Sequence, residues 1–121
     1  MADKKNSERL SDFLRFVSEA ETRLVSEREA VGRCDKATTD MLHQLELTPM
    51  SYHELAKWAK ELKQVRLDRR KAKDAVETYE PIVKFAEENQ GLKRKLPQVL
   101  GEVRRVENYH GCRTYKPRVL K

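Results

Sequence analysis

The stretch Leu45-Glu46-Leu47-Thr48-Pro49-Met50-Ser51-Tyr52-His53-Glu54-Leu55 decides the fold. Pro49 has no N–H, and its ring disfavours the helical region for Thr48, so a helix arriving from upstream stops there. Ser51 and Glu54 then stand in the S-x-x-E arrangement of a capping box, in which hydroxyl and carboxylate satisfy each other's backbone donors. A new helix is therefore predicted to start at Tyr52, and so short a connection makes its two helices antiparallel neighbours.

Upstream of the turn, apolar residues recur at Leu10, Leu14, Val17, Leu24, Val31, Leu42 and Leu45 in one 4-3 series, interrupted by Glu21, Arg28, Asp35 and Thr38. This predicts a helix of about 40 residues, roughly 60 Å long, that starts near Ser7 and carries the supporting pairs Glu19/Arg23 and Glu29/Arg33. A break between Gly32 and Thr39 is the alternative. Downstream, Leu55, Trp58/Ala59, Leu62, Val65, Ala72, Val76, Tyr79 and Val83 repeat the spacing, with Arg69 in a seam position. Pro81 predicts a kink or restart, and Asn89-Gln90-Gly91 an end. A third, shorter helix carries Leu92, Leu96, Val99, Val103 and Val106, with Pro97 in its first turns, and periodicity ends after Tyr109. The expected fold is all-α: a long antiparallel helical hairpin, coiled-coil-like, with a third shorter helix and a basic C-terminal arm. In domain terms, 1–6 is a flexible N-terminus, 7–108 the helical body and 109–121 the arm.

Composition agrees with this architecture. Charged and hydrophobic residues each make up 38% of the 121 residues, and 4 Gly and 4 Pro leave little turn chemistry for sheets or active-site loops. One domain is the expectation at this length. A two-helix seam buries little apolar area, so a homodimer or attachment to a larger host protein is expected. Seam charges at Glu21, Arg28, Asp35 and Arg69 require that the middle of the hairpin be ion-paired, splayed open or covered by a partner. No apolar run approaches the roughly 20 residues of a membrane span and no signal peptide is evident, which predicts a cytoplasmic protein without a membrane partner.

The chemistry of the chain is basic. Net charge is +6, with residues 1–50 at −2 and residues 51–121 at +8. Lys63, Arg66, Arg70 and Lys73 follow 3-4-3 spacing and form one stripe beside the Leu62/Val65/Ala72 seam. Such a ridge can track a phosphate backbone; it can equally be a solvated flank paired with the acidic half. A second basic set, Arg104, Arg105, Arg113, Lys116, Arg118 and Lys121, is interleaved with Tyr109 and Tyr115 and opposed by Glu107. Aromatics among cations suit an arm that orders on nucleic acid, or a solubility tail. Cys34 and Cys112 stand 78 positions apart, as two reduced thiols. His110-Gly111-Cys112 supplies two of the four ligands of a structural zinc site, so no metal is expected; no GxSxG, Gly-rich phosphate loop or HExxH is present, so no cofactor and no catalysis are expected.

Five segments carry a resemblance: Leu42–Leu47, Ser51–Ala56, Val65–Asp74, Tyr79–Val83 and Arg113–Arg118. Across roughly residues 40–121 the chain resembles small helical proteins encoded by phages and prophages of Gram-positive bacteria. The resemblance implies a phage accessory protein acting in the host cytoplasm. Small proteins of that origin include inhibitors of host defence, anti-CRISPR proteins among them. The expectation is a non-enzymatic interaction protein whose basic surfaces bind nucleic acid or a host nucleoprotein complex. The alternative is a coiled-coil scaffold or regulator with protein contacts only.

Overall fold

The computed structural model describes residues 3–115 and 117–119. Three helices follow one another, α1 (Asn6–Leu47), α2 (Tyr52–Glu88) and α3 (Gln90–Gly111), with no strand among the described residues. The fold is the expected helical hairpin, with α1 and α2 packed together. Gly32 does not interrupt α1, because the helix accepts a glycine at a modest loss of stability. At the turn, the Glu54 N–H donates to Ser51 Oγ at 3.2 Å, so Ser51 caps α2 where the sequence placed the cap. Pro81 lies inside α2 and does not restart it; the helix continues to Glu88 and ends at Asn89, within the expected Asn89-Gln90-Gly91.

The chain divides into two compact units, one made of residues 1–18 and 86–121 and the other of residues 19–85.

In the 19–85 unit, Ala20, Leu24 and Val83 form the core, with Val76, Tyr79 and Ile82 packed against them. Each fully buried aliphatic side chain contributes about 1.5–3 kcal/mol. Ala72 and Met41 are buried as well. On α2 the seam is the predicted one from Leu62 to Val83. On α1 it is corrected: Ala20 is buried while Glu21 is half-buried, and Met41 is buried while Leu42 is half exposed. The inner face keeps a 4-3 spacing through Ala20, Leu24, Glu27, Val31, Cys34, Thr38, Met41 and Leu45, one position earlier than expected at every second place. The physical reason is the cost of burying charge: this rotation takes Ala20, Cys34 and Met41 inward and turns Arg28 and Asp35 out toward water.

That shift places Arg28 and Asp35 on the flank, where they pair across the hairpin. Arg69 Nε donates to Asp35 Oδ1 at 2.6 Å, Arg66 Nη1 approaches the same oxygen at 3.9 Å, and Arg28 Nη2 donates to Glu80 Oε1 at 3.3 Å. Arg28, Asp35 and Arg69, three of the four seam charges, are thus answered by ion pairs. Among the described residues these cross-helix pairs form, and Glu19/Arg23 and Glu29/Arg33 do not.

In the other unit, the inner face of α3 is Leu96, Leu100, Val103 and Glu107, and Leu100, Ala86 and Ser7 are buried. Leu92, Val99 and Val106 are roughly half exposed, which corrects the predicted α3 series. Glu107 sits on the inner face because it has a task there. Its Oε2 accepts the Ser7 N–H at 3.1 Å. Lys5 precedes α1 and has no acceptor side chain, so a carboxylate 100 positions away caps an open amide of the first turn. Hydrogen bonds from the Ser7 hydroxyl and amide hold the Glu107 carboxyl below its usual range. The expected flexible 1–6 segment is tied down in part, since Lys4 Nζ donates to Asp12 Oδ2 at 2.7 Å. Met1 and Ala2 lie outside the described residues.

Candidate nucleic-acid interface

The basic stripe lies in the 19–85 unit. Lys63, Arg66, Arg70 and Lys73 are all exposed along α2. Asp68, the single acid of the run, stands two positions from both Arg66 and Arg70 and so faces elsewhere. It accepts a hydrogen bond from Gln64 Nε2 at 2.9 Å. Arg66 belongs partly to the fold through its contact with Asp35, whereas Arg69 is more covered and fixed by that carboxylate. Exposed pairs of this kind contribute about 0.2–1 kcal/mol, little enough for a phosphate to displace Arg66.

Arg104, Arg105, Tyr109, Arg113, Tyr115 and Arg118 belong to the other unit and are exposed. Tyr109 lies within the last turns of α3, its ring 6.0 Å from the His110 ring, so the arm begins after Gly111 rather than at 109. The helix closes where the Cys112 N–H reaches the carbonyls of Asn108 and Tyr109. Lys116 and Lys121 lie outside the described residues.

Partition of charge between the units separates the two basic sets. Residues 19–85 hold 13 Lys+Arg and 13 Asp+Glu, whereas residues 1–18 with 86–121 hold 13 and 7, so the whole net charge of +6 belongs to the second group. The split into sequence halves obscured this, because the N-terminal 18 residues belong with α3. Arg94 and Lys95 join this surface, and the Lys93-Arg94-Lys95 triplet is the signal that could have found them. Arg94 and Arg105 are eleven positions apart, three helical turns, and share an outward face with Gln98 and Gly101, opposite Leu96, Leu100 and Val103. A Cβ built on Gly101 meets nothing within 4 Å, so that face is open.

Among the described residues, no group of three or more His, Cys, Asp or Glu side chains is placed to hold a metal ion. No helix among them is long and apolar enough to cross a membrane. Cys34 and Cys112 are free thiols. Comparison with protein-family models, with curated proteins and with solved structures returned no match.

Proposed function

We propose that this chain is a non-enzymatic, phage-type helical interaction protein that binds nucleic acid, or a nucleic-acid-handling complex of the host, through basic surfaces. The observation that carries this reading is the concentration of the full +6 charge on residues 1–18 and 86–121, with Arg94, Arg105 and the Tyr109/Tyr115 aromatics exposed there. Phosphate contacts would supply affinity, and the two tyrosines contact area on unpaired bases. An origin of this kind would make a host-defence complex, such as a CRISPR effector, a natural target. The second reading is a scaffold with protein contacts only, favoured by the engagement of Arg66 and Arg69 with Asp35 and by the neutral 19–85 unit.

The test is titration of single-stranded DNA, duplex DNA and structured RNA at several salt concentrations. The proposal expects binding whose log affinity falls linearly with log salt. Replacing Arg94 and Arg105 by Glu should flatten that slope by about 1.4–1.8 while leaving the circular-dichroism helix signal intact. Arg66→Glu with Arg70→Glu should also weaken binding if the α2 stripe contributes. Tyr109→Ala with Tyr115→Ala should lower the part of the affinity that persists at high salt, where the Debye length is about 3 Å at 1 M. Absence of binding at low salt for every ligand removes the direct nucleic-acid version and leaves the scaffold.

A further inference from the structure

Between α1 and α2 of the 19–85 unit runs an open groove of about 660 Å³. Its floor is apolar, formed by Ala30, Cys34 and Ala37 on one side and by Val65, Ala72 and Ala75 on the other. Its rim is charged with both signs: Arg23, Glu27 and Arg33 from α1, Asp68 and Lys71 from α2. The opposite flank of the hairpin satisfies its charges internally, through Arg28 with Glu80 and through Asp35 with Arg66 and Arg69. The groove rim does not. Among the described residues, Arg23, Glu27, Arg33 and Lys71 take part in none of the salt bridges, and Glu27 is half-buried.

We infer that this groove is the docking face for a second copy of the same chain, groove against groove, closing the two hairpins into a four-helix bundle. Two observations select that occupant. A phosphate backbone would require a rim of cations, and Glu27 and Asp68 would repel it. A rim carrying three cations and two acids complements itself under a two-fold axis, where each face presents its cations to the acids of the other. The short side chains of the floor let helix axes approach to the lower part of the usual 8–10 Å range. This face is distinct from the basic α3 surface, so dimerisation and nucleic-acid binding can fail independently.

The experiment measures mass by sedimentation equilibrium on three proteins: wild type, an all-cation rim (Glu27→Lys with Asp68→Lys) and an all-acid rim (Arg23→Glu, Arg33→Glu, Lys71→Glu). The wild type should show the doubled mass, each variant alone should lose it, and an equimolar mixture of the two variants should regain it. A single-chain mass for the wild type at roughly millimolar concentration overturns the inference. So does a doubled mass retained by both variants. The wild-type chain gives a second readout that needs no substitution. Cys34 lines the groove and Cys112 is exposed in the other unit, so thiol labelling of Cys34 should slow as protein concentration rises while that of Cys112 stays constant. Equal concentration dependence at the two thiols refutes the groove as the interface.

Discussion

Met41 and Leu42 are adjacent, and substituting each in turn tests the register of the hairpin directly. Met41 is 8% exposed and Leu42 50%, although the 4-3 series assigns Leu42 to the seam. Truncation to Ala removes three side-chain heavy atoms from either residue, worth about 2.4 kcal/mol at full burial at 0.8 kcal/mol per methylene-sized group. At half exposure, Leu42→Ala should cost about 1.2 kcal/mol. Met41→Ala should cost about 2.2 kcal/mol in transfer alone, and a residual cavity raises it to about 3 kcal/mol. With an unfolding entropy near 0.25 kcal/mol/K for a chain of this length, the difference of about 1–1.8 kcal/mol separates the two melting midpoints by about 4–7 °C. Differential scanning calorimetry at one fixed protein concentration is the assay, since association would otherwise shift the midpoint. If Leu42→Ala melts at or below Met41→Ala, the inner face of α1 runs through Leu42 and the packing described above is wrong.

Ser51→Ala should destabilise the protein by about 1 kcal/mol, read as a lower urea midpoint at unchanged slope, because the Glu54 amide loses its acceptor. Glu107→Gln bears on pH. With the Glu107 carboxyl held below its ordinary value of 4.5, its stabilisation is complete above about pH 4.5 and is lost as pH falls through the lower folded-state value. The Gln variant should therefore lose less melting temperature than wild type between pH 5 and pH 3, and parallel curves would show that Glu107 does not cap α1. Asp12, held low by its hydrogen bond from Lys4, contributes a loss of the same sign in both proteins.

Features set by near neighbours were legible in the sequence. The Thr48-Pro49 stop, the Ser51 cap and the α2 seam all depend on residues within one or two turns of each other. The α1 register was legible at Leu24, Val31, Thr38 and Leu45, but not at the alternate positions Ala20, Cys34 and Met41, because Leu42 is as apolar as Met41 and small residues such as Ala20 and Cys34 give a weak apolar signal. Asp35 was readable as a charge that needed an answer, but not as the partner of Arg69, since 34 positions of chain separate them. Glu107 was readable as the acid facing the basic set, and Arg104 does act on it, but its bond to Ser7 was not. A carboxylate on the apolar face of α3 makes sense only once the first turn of α1 supplies its amide. The basic character was also visible, but its division was not, because residues 1–18 count with α3 only after the chain has folded.

The division of the chain into a continuous piece and a split one sets an order of assembly. Everything that residues 19–85 contact within their own unit is present once Phe85 has been synthesised, and these local helix pairings form quickly. Residues 1–18 are made before the hairpin residues 19–85, yet their partners come from the 36 residues beginning at Ala86. At about 5–20 residues per second, those partners need about 2–7 s of further translation. During that interval the opening turn of α1 has an uncapped Ser7 amide and a frayed end, and the arrival of Glu107 is what closes it. A segment made before the hairpin is fastened after it.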